Sequence, residues 1–488
     1  MNRQIRRLGL AFLVLFLLLF SQVNYLQVFA AKRLADNPAN QRHLIQVYAV
    51  RRGSILARDE RTVLATSRLT DGTLRYLRVY PAGQLYASVT GFASVLFGNA
   101  GLEAAENDAL QGQGPGLVPE SFLDELLGRP VQGATVVTTI DPKVQRAAAR
   151  ALGNLPGAVV ALDPRTGDVL AMYANATYDP NPLASHDPKV SSAAQAKLVK
   201  DPQKPLLSRA SQELFPPGST FKMVTAAAAL ENGITPDTLF ANPPQLDLPQ
   251  TNHALQNFGG EHCAGGVPQI TLALAFEISC NVVFGEVGLK IGAGALVAQA
   301  EKFGFNGTVP FALPWAEGHI PPAESFAQAL PAVAFSAIGQ EDVLANPLQM
   351  ALVAEAIADH GTEMAPRLVS ELRDPSGRVI ATVDPTVYGN PISVATASAL
   401  TQMMVSVVQS GTGTAAQIPG VLVAGKTGTA QTASGNPHAW FVSFAPAQNP
   451  QIVVAVVVLN GGSLGSEATG GHVAAPIARA VLQAALRG

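Results

Sequence analysis

Residues 157–173 read GAVVALDPRTGDVLAMY, two apolar β-rich runs (157–162 and 169–173) around a turn of Asp163, Pro164, Arg165, Thr166, Gly167 and Asp168. Pro and Gly between two such runs predict a hairpin. Just upstream, 142–152 carries Val144, Ala148 and Leu152 at helical spacing. Downstream the chain is largely helical by pattern, over 220–232, 272–278, 282–290 and 348–360. Three apolar strands follow at 421–425, 439–445 and 452–459, and Gly470-Gly471 breaks the chain before a last helix at 473–486. Two early strands, a helical middle, three late strands and a terminal helix predict an α+β domain over 138–488. Its antiparallel sheet is assembled from both ends of the segment and flanked by helices.

Before that domain, 31–137 alternates short apolar runs (47–50, 54–57) with charged turns; 111–116 reads as a loop and 120–127 as a short helix. The expectation is a smaller N-terminal α+β accessory domain. Arg3, Arg6 and Arg7 precede a run from Leu8 to Phe20 that is apolar apart from Gly9. This pattern predicts a cytoplasmic tail at 1–7 and a membrane anchor at 8–30, with everything after it outside the cytoplasm. A cleaved signal peptide is the alternative, and it gives the same compartment. At 488 residues the chain exceeds one core, which agrees with two domains. A net charge of −3 leaves no basic footprint, so nucleic-acid binding is not expected.

Pro216-Pro217-Gly218-Ser219-Thr220-Phe221-Lys222 places Ser219 at or just inside a helix start, with Lys222 three residues on along the same face. A serine hydroxyl needs an adjacent base to act as a nucleophile, and a desolvated lysine can supply one. Alone, the pair reads more readily as a helix cap and a solvated lysine. Ser279-Cys280-Asn281 lies between two helical segments. There Ser279 can shuttle a proton and Asn281 can hold a peptide carbonyl. Lys426-Thr427-Gly428-Thr429 ends the strand that begins near Val421. It offers a cation, two hydroxyls and, at Gly428, room for a substrate backbone. Each element is weak by itself; the three in this order are specific.

Together they resemble the Ser-x-x-Lys, Ser-x-Asn, Lys-Thr-Gly signature of penicillin-recognising serine enzymes. Nearly the whole chain is similar to class B penicillin-binding proteins of the actinobacterial penicillin-binding protein A type. The supporting runs are Arg51-Arg52-Gly53-Ser54-Ile55, Leu77-Arg78-Val79-Tyr80-Pro81, Tyr178-Asp179-Pro180-Asn181, Ser336-Ala337-Ile338-Gly339-Gln340, His438-Ala439-Trp440 and Ala468-Thr469-Gly470-Gly471. The chain departs from the commoner pattern at Arg58-Asp59-Glu60-Arg61, where many relatives have a glycine-containing turn.

The resemblance implies a D,D-transpeptidase that cross-links peptidoglycan stem peptides, binds β-lactams and works in cell division. It further implies that Ser219 is acylated, Lys222 takes its proton and Ser279 relays a proton to the leaving D-alanine. Asn281 would position the peptide, and Lys426, Thr427 and Thr429 would bind the donor carboxylate. The amides of Ser219 and Thr429 would form the oxyanion hole. A monofunctional transpeptidase needs a membrane glycosyltransferase as partner. No cofactor is expected, and no metal, because His253, His262 and Cys263 lack the i, i+4 spacing of a zinc helix.

A β-lactamase would need an acid to activate water, for which Glu317 is the one at a plausible spacing. A β-lactam sensor would need an intracellular signalling segment. Cys263 and Cys280 can form a disulfide in an oxidising compartment or remain two buried thiols; a bridge would tie the loop after Asn257 to the second motif.

Overall fold

A computed structural model of the protein describes residues 2–29, 42–113, 117, 126–127, 132–432, 435–462 and 464–487. The loop expected at 111–116 and the helix expected at 120–127 fall largely outside them. Strands run at Ile55–Leu56 (β1), Val63–Leu69 (β2), Tyr76–Val79 (β3), Thr135–Thr138 (β4), Gly157–Asp163 (β5) and Asp168–Asn175 (β6). After a helical stretch come Val369–Arg373 (β7), Val379–Thr382 (β8), Ala424–Ala430 (β9), His438–Ala445 (β10) and Ile452–Val458 (β11). The helices used below are Asn2–Asn24 (α1), Pro142–Leu152 (α2), Lys222–Glu231 (α3), Leu272–Glu277 (α4), Asn281–Lys302 (α5), Pro347–Ala358 (α6), Val394–Gln409 (α7) and Ala475–Leu486 (α8).

The central sheet is antiparallel throughout, in the order β9-β10-β11-β5-β6, with Val456 opposite Val159 in register. β5 and β11 are buried at every position. Strands covered on both faces read as continuous apolar runs rather than alternating ones, which is why Ile452–Val458 contains no polar residue. Alternate side chains serve different cores. Val159, Ala161, Val454 and Val456 pack with α2 and α8, while Val160, Leu162, Val453 and Val457 pack with the opposite helical layer. α6 lies in that second layer. Asn346 caps it, accepting from Gln349 N, Pro347 is its first residue, and all twelve of its residues are buried. A helix buried on every face, here with Gln349 and Glu355 as its polar residues, is a core helix.

A second, six-stranded sheet has the order β8-β7-β4-β1-β2-β3. Here the chain departs from a clean division after residue 137: β7 and β8, from 369–382, join the N-terminal strands, with Leu372 opposite Val136. The accessory region is also richer in strands than its sequence suggested. Buried Glu103 ties it together, accepting from Arg52 Nε at 2.6 Å and Arg78 Nε at 2.5 Å. Asn181 bridges to the other unit through both backbone polar groups of Tyr80, at 2.9 and 3.0 Å. The glycine-free turn at 58–61 forms with Glu60 at φ +58°, and Asp59 Oδ1 accepts from Thr62 N at 2.8 Å. Glu60 in turn pairs with Arg373 of β7. The stretch Arg3–Val28, which overlaps nearly all of α1, is 26 residues long, exposed, and apolar enough to cross a membrane.

Candidate active site

The turn carrying Ser219 is wedged between two other backbones. Gly218 has φ +52°, and its N–H donates to Gly339 O at 2.9 Å. Residues 218–221 make one 3-10 turn, and Lys222 opens α3. Thr220 Oγ1 donates to Pro217 O at 2.7 Å, and the buried indole of Trp440 donates to Pro216 O at 3.0 Å. A Cβ on Gly428 would lie 2.9 Å from both Pro217 O and Thr220 Cγ2. Gly428 therefore makes room for the chain's own Ser219 turn, not for a substrate backbone as its sequence context suggested. The Lys426-Thr427-Gly428-Thr429 run lies inside β9 rather than at its end.

Ser219 is half-buried and lines a cleft of about 1060 Å³ together with Ser279, Asn281, Thr427 and Thr429. Lys222 is fully buried. Its Nζ donates to Ser279 O at 2.7 Å and Asn281 Oδ1 at 2.8 Å, with Ser279 Oγ at 3.4 Å. Lys426, equally buried, donates from Nζ to Ser279 Oγ at 2.8 Å and to Thr427 O at 3.0 Å. Ser279 Oγ thus sits between the two amines. Burial pushes Lys222 well below the ordinary lysine value, and the charge of Lys426 pushes the same way. Burial lowers Lys426 to about 7. Desolvation disfavours each charged form, and two like charges on one hydroxyl disfavour each other. Among the described residues Ser219 Oγ makes no hydrogen bond, so the Ser219–Lys222 pairing is one of neighbourhood, not direct contact.

Ser279 is held at φ +61° in the junction between α4 and α5. This conformation costs a non-glycine residue ~1 kcal/mol. Beside it, Cys280 is bonded to Cys263, with Cα atoms 5.8 Å apart, and both are buried. Sequence reasoning missed Thr412, whose Oγ1 lies 2.6 Å from Thr427 Oγ1, and Asn257, whose Oδ1 accepts from Asn281 N at 2.8 Å. Thr412 sits in a Gly- and Thr-rich run, 410–414, just before β9, which is a usable signal; Asn257 has none. Glu317 is exposed, accepts from Thr308 Oγ1 and lies outside the cleft. The acid weighed for a hydrolase is therefore not at the site. Among the described residues no group of three or more His, Cys, Asp or Glu is placed to hold a metal ion.

Residues 157–483 match the penicillin binding protein transpeptidase domain family, and 52–136 match the penicillin binding protein A dimerisation domain. The peptidoglycan D,D-transpeptidase PbpA of Mycolicibacterium smegmatis is 45% identical, over 100% of this chain and 99% of that protein. Its namesake from Mycobacterium tuberculosis is 41% identical over the full length of both. The structure of penicillin-binding protein A from M. tuberculosis as a ceftriaxone acyl-enzyme superposes with a TM-score of 0.86. It is 40% identical and covers 91% of this chain and 100% of that one. With a buried lysine pair around one serine, in the cleft of a second serine, on a fold shared at this identity, the chain belongs to the class B penicillin-binding proteins, of the penicillin-binding protein A type.

Proposed function

We propose that this protein is a peptidoglycan D,D-transpeptidase that works through an acyl-enzyme on Ser219. A β-lactam, an acyl donor that cannot leave cleanly, would be trapped on the same oxygen; the M. tuberculosis relative forms an acyl-enzyme complex with ceftriaxone. One observation carries the reading: Ser279 Oγ bridges the amines of Lys222 and Lys426 beside Ser219.

Burial pushes Lys222 toward its neutral amine form. In that form it has two N–H donors and one lone pair. Ser279 O and Asn281 Oδ1, at 2.7 and 2.8 Å, occupy the donors. The lone pair remains for the Ser219 proton. Ser219 Oγ then attacks the penultimate D-alanine carbonyl. The oxyanion is taken by backbone amides of Ser219 and Thr429, which costs no reorganisation if they are fixed in advance. Collapse breaks the C–N bond, and the leaving D-alanine amine receives the proton from Lys222 through Ser279 Oγ. Lys426 supplies positive potential for the terminal carboxylate, with the Thr427 hydroxyl, steadied by Thr412, as a donor beside it. The amine of a second stem peptide attacks the acyl-enzyme, returning a proton to Ser219 and leaving a new amide cross-link.

The wider architecture is read in the same way. Residues 1–7 are a cytoplasmic tail and 8–30 an anchor, because Arg3, Arg6 and Arg7 flank the apolar run on its N-terminal side. Residues 31–137 form the accessory domain and 138–488 the catalytic one. A disulfide beside the second motif fits an oxidising compartment. The cross-linking of new strands in cell division calls for a membrane glycosyltransferase that makes them.

Labelling with a fluorescent penicillin, followed by peptide mapping, tests the reading. The label is expected on Ser219, and pre-incubation with a stem pentapeptide and an amine acceptor should release D-alanine and give the cross-linked product. Label on any other residue overturns it.

A further inference from the structure

Helix α5 begins at Asn281 without a cap of its own. Cys280, at the N-cap position, makes no side-chain hydrogen bond to the first turn, and its sulfur is held in the disulfide. The first N–H groups of a helix have no partner within it. Here they are satisfied from a distant loop: Asn257 Oδ1 accepts from Asn281 N at 2.8 Å and from Val282 N at 3.2 Å. Asn257 Nδ2 donates to Glu261 O at 2.9 Å, closing the loop on itself. The next carbonyl back, Gln256 O, accepts from Asn281 Nδ2 at 3.2 Å. That bond decides which end of the Asn281 amide faces the cleft: Nδ2 goes to the loop, so Oδ1 goes to Lys222. The loop is anchored at its far end by the Cys263 disulfide and by Asn242 Nδ2, which donates to Cys263 O and Val267 O, both at 2.8 Å.

We infer that Asn257 is a positioning residue for acyl transfer, fixing the start of α5 so that Asn281 Oδ1 and Ser279 O hold the Lys222 amine with its lone pair free for Ser219. The inference rests on the acyl-enzyme reading and adds to it a residue outside the three motifs. Without the Asn257 acceptor, two helix amides lose their partner and the loop loses its internal bond. The Gln256 carbonyl that holds the Asn281 amide then shifts with the loop, and the amine held by that amide loses its aim. A misplacement on the order of 1 Å at a reacting group can slow chemistry about 100-fold.

The test compares the full chain with its Asn257→Ala and Asn257→Asp variants in acylation by fluorescent penicillin. Limiting rate and half-saturating concentration are read separately, with thermal unfolding as the control for folding. Asp keeps both accepted bonds, since a carboxylate is a good helix cap, and gives up only the donation to Glu261 O. Asn257→Ala is expected to lower the limiting rate about 10- to 100-fold while shifting half-saturation less than about threefold. Asn257→Asp is expected to return the rate to within about threefold of the parent. The inference is overturned if folded Asn257→Ala acylates at the parental rate, if folded Asn257→Asp is slow, or if the whole loss lies in half-saturation. Label away from Ser219 in the parent protein would instead overturn the acyl-enzyme reading.

Discussion

Lys222 with Lys426, and Glu355 with Glu363, are two like-charged pairs buried completely in the same half of the molecule. Their surroundings differ. Each lysine donates at least two hydrogen bonds, and both touch the hydroxyl of Ser279 in the cleft. Among the described residues, Glu355, on α6, accepts only from Met364 N, at 3.2 Å on each oxygen, and neither oxygen of Glu363 has a partner. Burial, then the charge of Glu363, pushes Glu355 well above the ordinary carboxylate value, while burial lifts Glu363 to about 8. Neither carboxyl lines the cleft. Perturbed ionisation therefore marks both pairs, and access to a nucleophile marks one. Burial pushes Lys222 toward its neutral form where a proton must move; it pushes the carboxyls toward theirs inside packing.

Removing a lysine breaks this comparison most sharply. Lys222→Met deletes the base, and acylation of Ser219 should fall about 10²- to 10⁴-fold, measured by the rate of penicillin labelling. The same change should stabilise the fold. The folded value of Lys222 lies below the ordinary 10.5, so between the two values the unfolded chain binds more protons. Stability of the parent then rises with pH and is lost as pH falls through the folded value. Melting curves should show Lys222→Met gaining more over the parent near pH 6 than near pH 10.

Glu363→Gln sharpens the comparison with a gain whose pH dependence runs the opposite way. Its folded value of about 8 lies above the ordinary 4.5, so in that window the folded chain binds more protons. The parent's stability is full below about 4.5 and is lost as pH rises through about 8. An amide needs no proton, so Glu363→Gln should melt at a higher temperature than the parent at pH 8 and show no such gain at pH 4. Acylation should be unaffected. A loss of acylation would mean that the carboxyl pair is coupled to the cleft.

Much of this organisation is legible in the sequence where the signal is local. The β5–β6 hairpin announces itself through Asp163–Asp168, and β11 through its uninterrupted branched residues. Ser219, Lys222, Ser279, Asn281 and Lys426 are found because three short motifs share one order. What is hidden depends on contacts between distant segments. β7 and β8 form a hairpin around Asp374 and Gly377, and nothing local says that β7 also pairs with β4, more than two hundred residues away. Asn257 is one asparagine in a polar loop until α5 is seen to start without a cap. Gly428 lies in a recognised motif, yet what it accommodates, the Pro217–Thr220 turn, is visible only once that turn is folded against β9.

The central claim is that Lys222 works as a neutral amine, and the pH dependence of Ser219 acylation by penicillin tests it most directly. The rate, measured from about pH 5 to about pH 11, should rise to a plateau with an apparent value well below 10.5. That value belongs to the coupled Lys222–Lys426 pair, and the rise should vanish in Lys222→Met. A rise centred on the ordinary lysine value, or the same profile in Lys222→Met, would contradict the account.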